Sequence, residues 1–134
     1  MDEVVQIYKA LSEVMRLRIM MLLTHGELCV CDLMAIFNEP QSKISRHLAY
    51  LKNSGLITGK RVGVWMHYSV KEALDEIARG QVEFMGRHLS DLGWSREDVK
   101  RMEEVKAQKL CETETAGKGS DSSSRTRTGK KNKS

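Results

Sequence analysis

The sequence has little with which to cross a membrane, staple itself with disulfides or build an aromatic core. Its most apolar run, Ile19 to Leu23, lies beside Arg16 and Arg18 and falls far short of the roughly 20 residues a spanning helix needs. There is one proline, Pro40, and aromatic residues make up only 5% of the 134. The opening Met1-Asp2-Glu3 is acidic and does not follow the basic-then-apolar plan of a signal peptide. These absences predict a cytoplasmic protein with no membrane partner. In that compartment Cys29, Cys31 and Cys111 are expected to stay reduced, which favours metal or redox chemistry over structural disulfides. The chain also lacks a βαβ pattern, a glycine-rich nucleotide motif and a Ser-His-Asp set, so it is not expected to be an enzyme. A thiol-redox protein using Cys29 and Cys31 is the rival of a different class.

Enough is present for one compact domain with a tail: 40% of residues are hydrophobic, with Met and Leu prominent. The net charge of +4 is unevenly spread. Residues 112–134 hold six basic residues against three acidic ones, and the rest holds sixteen against fifteen. The reading divides the chain into a domain over 1–92, an additional C-terminal helix over 93–111 and a disordered basic tail over 112–134.

Apolar spacing predicts helices over Asp2–Leu11, Glu13–Thr24, Cys29–Phe37 and Gln41–Asn53, with Gly26 and Asn38-Glu39-Pro40 as the breaks. Two strands, Leu56–Arg61 and Trp65–Val70, flank Val62-Gly63-Val64 as a hairpin. A long fifth helix is expected over Lys71–Leu92, with Leu74, Ile77, Ala78, Val82, Met85, Leu89 and Leu92 as its apolar stripe. Ser95 and Asp98 have capping-box spacing and are expected to start a sixth helix reaching about Leu110.

Two helices joined by a short turn, then a Gly-tipped hairpin, describe a winged helix-turn-helix: mainly α with a small β-hairpin. In such a unit the second helix enters the major groove and its first half meets base edges. The polar face of that helix carries Gln41, Ser42, Lys43, Ser45, Arg46 and His47. Gln41 suits adenine and Arg46 guanine, Ser42 and Ser45 suit base or phosphate, and Lys43, Lys60 and Arg61 add phosphate charge. The bland alternative is a merely solvated amphipathic helix.

The run from Gln41 to Leu56 (QSKISRHLAYLKNSGL) resembles the recognition-helix signature of the ArsR/SmtB family of metal-sensing repressors. So do Ala10 to Ile19 (ALSEVMRLRI) and the wing from Gly63 to Val70 (GVWMHYSV), and the likeness covers about residues 4–92. It implies a homodimer, joined through the first and fifth helices, that holds double-stranded operator DNA and releases it on sensing a ligand. No cofactor is implied in the DNA-bound state.

Glu27-Leu28-Cys29-Val30-Cys31-Asp32-Leu33 places two thiols at the start of the third helix, where unpaired N–H groups and the helix dipole lower thiol pKa values. Thiolates are soft ligands for thiophilic ions. This segment is similar to the arsenic-responsive branch, in which Cys29 and Cys31 correspond to two of three thiolates that bind trivalent arsenic or antimony. The third ligand position of that pattern falls at Met34, and Cys111 is the candidate replacement. The alternative is a two-thiolate site completed by hydroxide or an exogenous thiol. The cadmium- and lead-sensing branch shares the Cys-Val-Cys start but draws further thiols from an N-terminal extension that this sequence is expected to lack, so cadmium is the runner-up. Zinc sensing needs Asp and His pairs on the fifth helix, which offers Asp75 and a lone His88. Because the ligand-bearing helix packs against the reading helix, ion binding is expected to tilt its start and shift Gln41 to His47.

Overall fold

The structure, a computed structural model, describes residues 2–108. Within them the order is α1 (Asp2–Leu11), α2 (Val14–Leu23), β1 (Leu28–Cys29), α3 (Val30–Phe37), α4 (Gln41–Asn53), β2 (Ile57–Val62), β3 (Trp65–Val70), α5 (Glu76–His88) and α6 (Gly93–Gln108). The expected winged helix-turn-helix is present, with α3 and α4 as the motif and β2 and β3 as the wing.

The centre of the core is α2. Met15, Ile19, Met20, Met21, Leu22 and Leu23 are all buried along it, and a helix that is apolar on nearly every side must lie inside. Glu13 caps its start by accepting from the Arg16 N–H at 3.0 Å. The turn from α3 to α4 depends on Asn38, which ends α3 in the left-handed region at φ 54°. Pro40 then sits extended before the first residue of α4, where its missing N–H costs no helical bond. Ile44, His47, Leu48 and Leu51 are the buried side of α4.

The sheet runs in the order β1-β3-β2, and both pairings are antiparallel. Gly63 takes φ 64° as the first residue of the two-residue loop joining β2 to β3. That position of a tight hairpin favours glycine. Gly59 lies opposite Tyr68, and an added Cβ there would stand 2.7 Å from the tyrosine ring. Strand β1, which the sequence reading did not anticipate, pairs Leu28 with Tyr68 and Cys29 with His67. Two residues are too few to leave an alternation signal.

Two expectations are corrected. The fifth helix does not span Lys71–Leu92 but Glu76–His88, because the Asp75 carboxylate accepts from the Ala78 N–H at 2.9 Å and caps the helix there. Leu74 continued the apolar spacing without being helical. The sixth helix is not capped by Ser95 and Asp98, since it begins at Gly93 and both residues are buried within it. Asp98 instead receives a bidentate pair from Arg18, Nε at 2.8 Å and Nη2 at 2.7 Å, while the Arg18 guanidinium lies over the Phe37 ring at 4.8 Å. Beside this clamp, Met102 and Val105 enter the same core as α2 and α3.

Asp98→Ala would leave the Arg18 guanidinium without its counter-charge and is expected to destabilise the protein by about 2–3 kcal/mol. Urea unfolding measures this. A loss below about 0.5 kcal/mol would mean that apolar packing alone docks α6.

Candidate functional site

The polar face of α4 divides in the structure. Gln41, Ser42 and Arg46 are exposed, as are Lys60 and Arg61 on the wing. Lys43 and Ser45 are half-buried, and Lys43 donates to Glu39 at 3.1 Å. No side chain caps the start of α4. Its first backbone N–H groups therefore point outward as donors suited to an anionic backbone.

His47 belongs elsewhere. It was expected on the reading face, yet it is buried and turned back toward the junction of α1 and α2. Its Nδ1 lies 3.8 Å from Glu13 Oε1 and 3.5 Å from Arg16 Nη1. Arg16 in turn donates from Nε to the Ala10 carbonyl at 2.9 Å and covers the Tyr50 ring at 3.9 Å. These contacts fix how α4 sits on α1 and α2. Sequence reading passed over Glu13, Arg16 and Tyr50 in this role, because helical spacing gives no sign of which side chains meet across elements.

Burial, together with the positive Arg16, Arg46 and Lys43, lowers the His47 pKa against the pull of Glu13. At Glu13 burial works to raise the pKa, but the Arg16 backbone N–H and the charges of His47 and Arg16 outweigh it, leaving the pKa lowered.

The cysteines form the second centre. Cys29 is completely buried and Cys31 keeps 9% exposure. Cys29 is the N-cap of α3: its Sγ accepts from the Asp32 N–H at 3.4 Å, and Asp32 Oδ2 accepts from the Cys29 N–H at 3.3 Å. This is a capping box with sulfur in place of a hydroxyl. The expectation of reduced thiols is corrected, because the structure joins Cys29 and Cys31 in a disulfide. The extended cap followed directly by a helical turn sets their Cα atoms 5.4 Å apart, within bonding range.

The two sulfurs and a carboxylate oxygen of Asp32 lie within 4.8 Å of one another, so the dithiol form offers two soft donors and one hard donor in a single place. Burial raises the Asp32 pKa, opposed by the Cys29 N–H, Lys106 and His67. On the wing side, His67 faces Cys29 across the β1–β3 pairing and its Nδ1 lies 3.0 Å from Glu27 Oε2. Lys60 Nζ reaches the other oxygen of Glu27 at 3.5 Å. Trp65 packs against the cysteine cluster. Asp32, Trp65 and His67 were missed as neighbours of the pair; only Asp32, three residues after Cys29, carried a readable signal. Cys111 lies outside the described residues, as does the tail.

A profile of the bacterial regulatory protein, arsR family, matches residues 14–58. The chain is 49% identical over 65 residues to the arsenical resistance operon repressor of Escherichia coli K12, covering 48% of this chain and 56% of that protein. It thus spans little more than half of that relative. Against the arsenic resistance transcriptional regulator ArsR1 of Pseudomonas putida KT2440 the identity is 33% over 104 residues, covering 74% and 77%. A solved structure, the homodimeric winged helix-turn-helix DNA-binding domain Mb0332 from Mycobacterium bovis, is similar with a TM-score of 0.54 and 29% identity. That likeness covers 69% of this chain and 86% of the other. These relatives are transcriptional regulators, not enzymes. No helix among the described residues is long and apolar enough to cross a membrane.

His47 gives a test that needs no ligand. A histidine pKa lowered by folding means that the unfolded chain binds the proton more readily. The resulting stability is complete above the ordinary value of 6.5 and is lost as pH falls toward the lowered one. Between pH 7.5 and 5 the melting temperature of the wild type should therefore fall more than that of His47→Gln. Parallel pH profiles of Tm would contradict the placement.

Proposed function

Because the chain belongs to the arsR family of bacterial regulatory proteins, we propose that it is a homodimeric repressor that binds operator DNA and lets go when a thiophilic ion takes Cys29 and Cys31. The observation that carries this reading is the meeting of Cys29, Cys31 and Asp32 at a residue shared by helix α3 and the wing sheet. Trivalent arsenic or antimony is the inducer; cadmium, for which Asp32 adds a hard donor, is the comparison ion. The protein works in the cytoplasm.

On DNA, α4 enters the major groove with Gln41 and Arg46 at base edges, while Ser42, Ser45 and Lys43 hold its register. Lys60 and Arg61 on the wing contact phosphates. His47 serves this surface from behind by positioning α4. The partner subunit covers apolar side chains that the isolated chain leaves exposed: Val5 and Tyr8 on α1, Ile77 and Phe84 on α5. Such exposure on α1 and on α5 supports a dimer interface built from these two helices. Residues 1–92 are the DNA-binding and dimerisation unit, Gly93–Gln108 an added helix, and 112–134 a segment rich in basic residues.

The sulfurs fit a thiophilic ion, and such an ion supplies bonds to sulfur that compete with the Asp32 N–H for Cys29. When that cap loosens, the start of α3 and the Cys29–His67 pairing shift together, moving both α4 and the wing. Met34 supplies no thiolate, so the third position on arsenic goes either to a retained hydroxyl or to the Cys111 thiolate, and Cys111→Ser separates the two. The Cys29–Cys31 bond itself favours a second reading, in which oxidation of the pair controls the same cap.

Gln41→Ala and Arg46→Ala are each expected to weaken specific operator binding by about 1–3 kcal/mol. Lys60→Ala and Arg61→Ala should instead weaken binding to all sequences and flatten the salt dependence. Fluorescence anisotropy checks both, and unchanged affinity for Gln41→Ala and Arg46→Ala would remove the docking mode. Under reducing conditions Cys29→Ser and Cys31→Ser should bind operator yet keep hold of it when arsenite is added, because serine can cap a helix but offers no soft thiolate. Full arsenite-driven release from both variants would contradict the sensing site, and full release from Cys111→Ser would limit that site to two thiolates. Release by oxidant alone, abolished in both Cys29→Ser and Cys31→Ser, would favour the redox reading.

A further inference from the structure

We propose that the indole N–H of Trp65 is a donor held ready for the oxygen that arsenous acid keeps after two of its three oxygens are exchanged for the thiolates of Cys29 and Cys31. The wing strand β3 then forms one wall of the inducer site. This rests on the reading of Cys29 and Cys31 as that site.

Among the described residues, Trp65 Nε1 is the buried side-chain nitrogen or oxygen that lacks a hydrogen-bond partner. An indole can only donate, and folds seldom leave a buried donor unmet unless the position has a use. Trp65 packs against the cluster formed by Cys29 and Cys31. Strand alternation puts Trp65 and His67 on one face of β3, and His67 lies across from Cys29 in the sheet. The nearby polar groups are engaged with one another: His67 Nδ1 with Glu27, and Asp32 Oδ2 with the Cys29 N–H. Cysteine sulfur accepts only weakly, so an oxygen brought in by the ligand is the better match for the indole.

The chemistry balances. A thiol reductant of the glutathione class supplies two electrons and two protons to the Cys29–Cys31 bond, leaving as its own disulfide and giving two thiols. Arsenous acid then exchanges two arsenic–oxygen bonds for two arsenic–sulfur bonds. Each thiol proton departs with a hydroxyl group as water, and arsenic stays trivalent. One hydroxyl remains to accept from Trp65. Methylarsenous acid would bind the same two sulfurs but retain only its methyl group, which accepts nothing. A third thiolate would likewise leave no oxygen.

The test is the binding of both arsenicals to the reduced full-length protein by calorimetry, comparing wild type with Trp65→Phe. Arsenite affinity is expected to fall roughly 3–10-fold in Trp65→Phe, while methylarsenous acid affinity stays within about twofold. A second readout needs no change at Trp65. The chain has two tryptophans, so Trp94→Phe leaves the Trp65 indole proton as the single indole resonance. It should move downfield with arsenite and stay in place with the methyl compound. Equal weakening of both arsenicals, no weakening for arsenite, or an unmoved indole proton overturns the proposal. Failure of the wild type to bind either arsenical would overturn the underlying site reading and this inference with it.

Discussion

The reciprocal hydrogen bonds between Cys29 and Asp32 sit where two parts of the structure share a residue. The Cys29 backbone pairs with His67 in the wing sheet, and its side chain closes the first turn of α3. A helix cap contributes about 1 kcal/mol and a sheet hydrogen bond a similar amount. A hundredfold change in operator affinity requires about 2.7 kcal/mol. Loosening one cap and the pairing beside it is therefore a perturbation of the right size. A larger rearrangement is not needed.

The other end of α3 is held more firmly. Phe37 lies beneath the Arg18 guanidinium, which is itself locked by Asp98 of α6, and Arg101 of α6 donates to the Ala35 carbonyl at 3.4 Å. The C-terminal half of α3 is thus clamped to α2 and α6, and its first turn is held by the Cys29 cap and the pairing with His67. The cluster of Glu13, Arg16, His47 and Tyr50 does comparable work for α4, tying it to α1 and α2. Cys29 therefore sits where α3 meets the wing sheet, apart from the clamps on the C-terminal half of α3 and on α4.

Much of this was legible in the residues. Pro40, Asn38 and Gly63 mark the turns, and the apolar spacing of α1, α2 and α4 set their extents within a few residues. The Cys-Val-Cys segment singled out the two sulfurs that the structure brings together with Asp32. What could not be read was long-range. The Asp75 cap shortened α5 against an apolar stripe that ran on through Leu74. Asp98 looked like a capping residue, but its partner is Arg18, eighty positions away. His47 shared the polar face on a helical wheel, and tertiary packing turned it inward. Strand β1 and the neighbourhood of Trp65 exist only once the chain is folded.

If Cys29 links ligand and DNA through one cap, the coupling must be reciprocal. The direct measurement is the arsenite dissociation constant of the reduced protein, alone and saturated with operator. It should weaken on DNA by the same factor by which arsenite weakens operator binding. An arsenite affinity that is identical with and without operator would contradict the account.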